Sequence, residues 1–279
     1  WIIEYVKLQL SADRRVTEAL QDALDQVDAY MRKLAGKEGV GARARTSQLL
    51  ASRSVINKIL AELFKTVGGV IRDEQAEAAT LAEELLLKDE GKLWEILEPD
   101  DRLREDAKRD LKVQAARQIQ ATMKRIFETE QTLSQRIYRS EALSKGQVSK
   151  TINRHIAIGS SADDMAKDLK SLIDPKAPGG VSYRAKLLAR TEINNAFHAQ
   201  SIADAQDRPW ISQVQWNLSK SHNEQGCICE EYARQRLFPV SQVPKKPHPQ
   251  CLCSITPKLP DLDTALKEFM SGQYAPWLP

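Results

Sequence analysis

The chain has 279 residues, enough for a sizeable core in one large domain or in a helical region with a smaller domain attached. Its formal net charge of +3 is too small to attract nucleic acid over the whole protein surface. A content of 42% hydrophobic and 28% charged residues excludes disorder of most of the chain. No apolar run approaches the ~20 residues of a membrane span, and the opening ten residues lack the order of a signal peptide, so neither feature is expected.

Long amphipathic helices are predicted for the N-terminal half. Between residues 13 and 35, apolar side chains recur every three or four positions, which is the period of a helix with one apolar face. A second stripe begins at residue 49, is interrupted by Gly68 and Gly69, continues toward the acidic stretch around Glu83 and ends before Pro99, and a third covers residues 113–137. Such stripes favour mutual packing in a bundle, and docking of one helix on a partner is the alternative.

Two further helices are predicted between residues 160 and 207. Ser161, followed three residues later by Asp164, resembles a capping box at the start of a helix over 162–173. The two prolines and two glycines of residues 175–180 predict a turn. Ser182 is then expected to cap a helix that runs to about residue 207.

The second of these helices carries an unusual polar stripe. Arg190, Asn194 and His198 follow one another at intervals of four residues and therefore share one helix face, with Thr191 and Asn195 beside it. The pattern favours internal hydrogen bonds to a neighbouring loop, and recognition of a backbone or a phosphate is the alternative. Glu192 is expected to be an ion-pair or loop-anchoring partner, because a buried carboxylate needs compensation.

After residue 209 the period changes from helix to strand. Val214, Trp216 and Leu218 alternate with polar residues, which predicts a strand with one buried face. Alternation over residues 251–256 predicts a second strand, and a short helix is expected at 230–234. The predicted class is therefore α+β and mainly α: an extended helical region at 1–140, a small domain with a short antiparallel sheet at 141–260, and a C-terminal tail at 261–279.

All four cysteines lie close together near the C-terminus, whereas a disulfide scaffold would spread them along the chain. Two close thiol pairs beside a histidine are the ligand types that a structural Zn²⁺ site prefers, although CxC departs from the usual CxxC spacing. Buried free thiols and a disulfide between the two strands are the alternatives. The candidate ligands are Cys227, Cys229, His248, Cys251 and Cys253, with His222 as a substitute.

Catalysis is not expected from these residues. A nucleophilic cysteine needs a histidine base within hydrogen-bond reach and a third group that orients it, and spacing alone does not provide this geometry. The sequence contains no GxSxG elbow, HExxH helix or P-loop. We therefore predict a protein that is not an enzyme, with a cysteine hydrolase as the less favoured alternative. Lys245 and Lys246 are expected to be solvated, with weak DNA contact as their alternative role.

Three separated motifs together resemble the signature of the phage Mu F-like head-morphogenesis family, the MuF domain. They are LARTEINNA at 188–196, WNLSKSH at 216–222, and Cys229 with PHPQCLC at 247–253. Their order and spacing match, and the resemblance covers about residues 145–258. The chain departs from the family in one respect: members often carry CxxC ahead of HPxCxC, where this chain has Gly226-Cys227-Ile228-Cys229.

The resemblance implies a minor capsid protein that acts in head assembly. Its expected location is the virion, in the capsid interior near the portal, with several copies per virion and no membrane in the assembled head. The implied partners are the portal protein and the major capsid protein, and an accessory role on packaged double-stranded DNA is the alternative. The family motifs correspond here to Arg190, Thr191, Glu192, Asn194, Asn195 and Trp216.

Overall fold

The computed structural model describes residues 1–35, 42–97, 133–220 and 226–275, with isolated positions between 102 and 121. This part of the chain is mainly helical with one small antiparallel sheet, which confirms the predicted α+β, mainly α class. Among the described helices, none has an apolar stretch that would span a bilayer. The helices are α1 (Ile2–Ala35), α2 (Ala42–Leu97), α3 (Leu133–Ile158), α4 (Ala162–Ile173), α5 (Gly180–Asp207), α6 (Ile228–Gln235) and α7 (Leu262–Met270).

The chain forms two compact units, and each unit combines segments that are distant in the sequence. The first, here called the sheet unit, comprises Trp1–Leu8, Glu74–Thr129 and Thr191–Pro279. The second, here called the helix unit, comprises Gln9–Asp73 and Glu130–Arg190. The domain ranges 1–140, 141–260 and 261–279 remain a prediction.

The helix unit contains most of the predicted apolar stripes. In α1, Val16, Leu20, Val27 and Met31 are fully or almost fully buried, as a core-facing stripe requires. In α2, five of the predicted positions are buried as well, namely Ile56, Leu60, Leu63, Val67 and Val70. The stripe predicted at 113–137 falls mostly outside the described residues.

The helix α2 continues through Gly68 and Gly69, where the apolar stripe is interrupted, and it ends at Leu97, ahead of Pro99 as predicted. The two glycines differ in their surroundings. A Cβ atom on Gly68 would lie 2.8 Å from Cδ1 of Ile137 in α3, whereas a Cβ on Gly69 would meet no atom within 4 Å. Gly68 therefore permits a close approach of α3, and Gly69 has no such packing role.

We expect Gly69→Ala to stabilise the helix unit, because alanine is favoured over glycine inside a helix by about 1 kcal/mol. Gly68→Ala brings the same gain in propensity but displaces Ile137, so its net effect should be close to zero or destabilising. Denaturant unfolding of the two variants measures the difference. Equal stabilisation by both substitutions would contradict the contact between Gly68 and Ile137.

The helices around residue 170 begin in different ways. Ser161 caps α4 as predicted: its Oγ accepts a hydrogen bond from the backbone N–H of Asp164 at 3.1 Å. The cap predicted at Ser182 is wrong, because α5 begins at Gly180 and the Ser182 hydroxyl donates to backbone carbonyls of the preceding turn. Gly180 has a φ of 67° and lies against Leu172, where a Cβ would be 2.5 Å from the carbonyl oxygen, so a larger residue is excluded at this helix start.

The sheet has three strands: β1 (Gln213–Asn217) in the centre, with β2 (Leu237–Pro239) and β3 (Ser254–Lys258) antiparallel on its two sides. The register sets Val214 opposite Phe238 and Trp216 opposite Ile255, and all four side chains are buried. Leu218 was predicted on this buried face, but it follows the end of β1 and is 41% exposed.

One further prediction near the C-terminus needs correction. The second strand begins only at Ser254, so Cys251 and Cys253 lie in the irregular segment ahead of it. Strand alternation therefore does not place the two thiols. The range predicted as a tail contains α7, whose N-cap Asp261 accepts a hydrogen bond from the backbone N–H of Thr264 at 3.0 Å.

Candidate metal centre

Five of the six candidate ligands lie in the described part of the chain, and they come together in the sheet unit. Cys227 precedes α6 and Cys229 lies in its first turn, whereas His248, Cys251 and Cys253 lie in the segment before β3. The ligand atoms form two groups, Cys227 with Cys229 and His248, and Cys229 with Cys251 and Cys253. Within each group all atoms lie within 4.8 Å of one another. This cluster could hold a metal ion. The substitute ligand His222 lies outside the described residues.

Cys229 contacts both an imidazole and a second thiol of the cluster. Its Sγ atom lies 3.5 Å from Nε2 of His248 and 3.5 Å from Sγ of Cys251. A tetrahedral zinc site with Zn–S bonds of ~2.3 Å and a Zn–N bond of ~2.0 Å places its S and N atoms about 3.5–3.8 Å apart. The observed distances therefore fit a common ion and are much longer than the ~2.05 Å of a disulfide bond.

The imidazole of His248 is oriented for a ligand role. Its Nδ1 atom lies 2.9 Å from the carbonyl oxygen of Pro249, which accepts hydrogen bonds and cannot donate them. Nδ1 is therefore the protonated nitrogen of the neutral ring, and the lone pair on Nε2 faces Cys229. Metal-bound histidines usually have their second nitrogen fixed in this manner.

The thiols lie in the hydrophobic core of the sheet unit. Cys229, Cys251 and Cys253 are 0%, 2% and 1% exposed, and Cys227 is half-buried. All four are free thiols in this structure. Burial raises the pKa of Cys229, whereas the hydrogen bond from Cys251 lowers the pKa of Cys253. A metal ion would have to displace protons from this cluster, so its binding should weaken at low pH.

Lys246 was expected to be solvated, and the structure corrects this prediction. Its ammonium group donates hydrogen bonds to the carbonyl oxygen of Cys251 at 3.2 Å and to that of Cys253. Burial lowers the pKa of Lys246, and the neighbouring thiols oppose this shift. The ammonium therefore holds the ligand segment, which is the stretch from residue 248 to residue 253. It also offsets part of the negative charge that metal-bound thiolates would carry. Its neighbour Lys245 is exposed.

The substitution Lys246→Met should weaken metal binding about 10- to 100-fold, the range typical of lost contacts to metal ligands. Lys245→Met removes the same charge from an exposed position and serves as the matched control. Competition with a chelator of known affinity, at several pH values, measures both variants. If the two variants lose equal affinity, Lys246 acts only through the net charge of the protein.

Side chains of the polar stripe of α5 also hold the ligand segment. Oγ1 of Thr191 accepts a hydrogen bond from the backbone N–H of Gln250 at 3.2 Å, and the side-chain amide of Asn194 donates to the carbonyl of Cys251 at 3.1 Å. Nε2 of His198 lies 2.8 Å from the carbonyl of Pro244. Gln250 has a left-handed backbone with a φ of 57°, which is uncommon for a residue other than glycine. These contacts fix the turn that brings Cys251 to Cys229.

The remaining motif residues differ in their burial and in their contacts. Arg190 donates to Oδ1 of Asp13 at 2.8 Å within the helix unit. Glu192 is buried, and its backbone carbonyl accepts a hydrogen bond from the side chain of Gln75 at 3.3 Å. Asn195 is half-buried. Trp216 is buried and packs against the rings of His198, Tyr232 and Phe238.

Sequence reasoning missed a buried charged cluster in the sheet unit. Arg208 donates to Oε1 of Glu83 at 2.6 Å, and its Nε atom lies 3.4 Å from Oε1 of Glu90. The indole of Trp210 also donates to Oε1 of Glu90, at 2.8 Å. A signal was present: Glu83 and Glu90 are seven residues apart, the same interval as the buried Leu86 and Leu93 on α2.

Desolvation dominates the protonation of the acids in this cluster. It raises the pKa of Glu90 to about 7, even though Arg208 and Trp210 oppose the shift. It also raises the pKa of Asp204, and the nearby Glu83 adds to this shift. One guanidinium among three buried carboxyl groups cannot keep all of them ionised, so the cluster holds protons near neutral pH.

Comparisons of the chain with protein-family models, with curated proteins and with solved structures give no match. The residues of the chain itself bring together a cluster of thiols and an imidazole, a lysine whose ammonium binds the backbone of that cluster, and a polar helix that fixes it.

Proposed function

We propose that this chain is a phage minor head protein of the Mu F-like head-morphogenesis family, a structural assembly component that associates with the portal and the capsid interior. The observation that carries the proposal is the contact between two separated motifs. Thr191 and Asn194 of the first motif bind the backbone of Gln250 and Cys251 in the last. Residues that define the resemblance thus contribute to one folded module.

The use of the polar side chains of α5 favours a structural role over catalysis. Asn194 and His198 are buried and form hydrogen bonds with backbone carbonyls. Buried polar groups in such contacts hold segments in place, because leaving them unpaired would cost stability. A row of this kind orients the ligand segment and presents few free polar atoms to a substrate.

We further propose that the cluster binds one Zn²⁺ ion in a structural site. Cys229 belongs to both ligand groups and is therefore the central ligand, with three of the other four candidates completing a tetrahedron. Thiolate and imidazole donors match the borderline-soft character of Zn²⁺. Bound there, the ion would join the start of α6 to the segment before β3.

Elemental analysis of the purified full chain tests the metal assignment. We expect close to one zinc ion per chain from reducing buffer, and its loss in Cys229→Ser. Calcium and magnesium should not replace it, because these ions prefer oxygen ligands. A chain purified with zinc in the buffer that contains no metal after desalting would contradict the site.

The assembly role is tested with the portal and capsid proteins of the same virus. We expect the chain to co-purify with portal assemblies and to be present in isolated procapsids in several copies. A chain that binds neither would contradict the proposed function. The zinc measurement is independent of this result, since the metal site does not require a partner.

A cysteine hydrolase is the second candidate, because Cys229 and His248 are within 3.5 Å and resemble a nucleophile and base pair. The burial of Cys229 opposes it, since a hydrolase nucleophile must be reached by a peptide substrate, and burial raises the pKa of this thiol instead of lowering it. If Cys229→Ser abolished proteolytic processing of the capsid protein while the chain stayed folded and assembled, the hydrolase would be favoured instead.

A further inference from the structure

The cluster contains a thiol pair at a distance that permits a second kind of crosslink. Sγ of Cys229 and Sγ of Cys251 are 3.5 Å apart, and the two residues are 22 positions apart in the sequence. Both thiols are free and buried in one core. A displacement of about 1.5 Å would bring the sulfur atoms to the ~2.05 Å of a disulfide.

We propose that Cys229 and Cys251 form a disulfide when the centre meets a peroxide, so that a covalent bond replaces the metal as the crosslink between α6 and the segment before β3. This inference rests on the proposed function in two ways. The metal centre supplies the reduced state, and a head protein passes from a reducing cytosol to an oxidising exterior inside the virion.

The reaction balances with hydrogen peroxide as the oxidant. The two thiolates give up two electrons, and the S–S bond forms. The O–O bond of the peroxide breaks, and its two oxygen atoms take up these electrons and two protons from the solvent to form two water molecules. The metal ion leaves because two of its ligands are lost. Its charge is unchanged, since both electrons come from the sulfur atoms. Thiol reductants reverse the reaction and restore the ligands.

The surroundings favour this pair over a pair within either CxC sequence and over a pair of Cys227 with Cys251. Cys251 is held at its carbonyl by Asn194 and Lys246, and Cys229 is part of a helix, so both sulfur atoms have restricted positions. The pairs within each CxC sequence would close very short rings, which strains the disulfide geometry. Cys227 is more exposed than the other thiols and belongs only to the group that lacks Cys251.

The test treats the zinc-loaded full chain with hydrogen peroxide and follows metal release with a coloured chelator. Non-reducing peptide mapping with fragmentation then identifies the linked sulfur atoms. We expect a link between Cys229 and Cys251, the release of the bound zinc, and recovery of both thiols and metal binding after reduction. Cys227→Ser should retain the link, whereas Cys251→Ser should lose it.

The outcomes separate this inference from the proposed function. A chain that holds zinc but forms another pair, or only sulfinic acids, overturns the inference and leaves the metal centre intact. A reduced chain without any metal contradicts both the metal centre and the exchange of crosslinks. If Cys251→Ser fails to fold, the mapping of the unmodified chain decides the question alone.

Discussion

Removal of the metal is expected to destabilise the sheet unit by about 5 kcal/mol or more, since structural zinc ions contribute roughly 10–16 kcal/mol of binding free energy in small metal-dependent domains. A chelator should cause this loss in the unmodified chain, and Cys229→Ser should cause it permanently. Zinc should restore the stability of the chelated chain. Trp94, Trp210 and Trp216 lie in the same buried core as the cysteines, so tryptophan fluorescence follows the unfolding.

The variant Cys227→Ser provides the comparison for this experiment. Cys227 is half-buried and belongs to only one ligand group, so its loss should cost less than the loss of Cys229. Thermal unfolding of both variants, with and without zinc, measures the difference. Equal stability of the chelated and zinc-loaded chains would show that the thiols act only as buried hydrophobic side chains.

The second large effect is expected from Glu90→Gln at neutral and alkaline pH. Burial raises the pKa of Glu90 to about 7 from its ordinary value of 4.5. At about 1.4 kcal/mol for each pKa unit, ionisation of this buried group costs on the order of 3 kcal/mol of stability. Glutamine has no charge to desolvate, and its Oε1 atom can still accept the hydrogen bond from Trp210.

The sign of the pH dependence follows from the raised pKa of Glu90. Below about pH 4.5 the carboxyl group is protonated in both the folded and the unfolded chain, so its titration does not change the free energy of unfolding. Between about pH 4.5 and 7 the unfolded chain releases the proton while the folded chain retains it, so stability falls as the pH rises. The advantage of Glu90→Gln should therefore grow over this range and remain constant above it.

Urea unfolding at pH 4.5, 6 and 8 measures this advantage. Glu84→Gln removes the same charge from an exposed position on α2 and is the matched control. We expect the control to change stability by less than about 0.5 kcal/mol at each pH. An advantage of Glu90→Gln that is the same at all three pH values would contradict the buried, protonated state of the carboxyl group.

Features with a local cause were predicted from the sequence. The apolar stripes of α1 and the cap at Ser161 depend on residues within a few positions of one another, and so does the alternation around Trp216. The candidate ligands could be named for a similar reason, because the chemistry of thiols and imidazole does not depend on the fold. The close approach of α3 at Gly68 could not be predicted, because Ile137 is distant in the sequence.

Sequence alone thus determined the helical character, the small sheet and the identity of the candidate metal ligands, because periodicity and donor chemistry are local properties. The tertiary structure decided which of these side chains meet and what charge they carry. Lys246 is directed to the carbonyls of Cys251 and Cys253, and Glu90 is buried beside Arg208. Burial and long-range pairing set the cost of each charge, and both arise only when distant segments pack together.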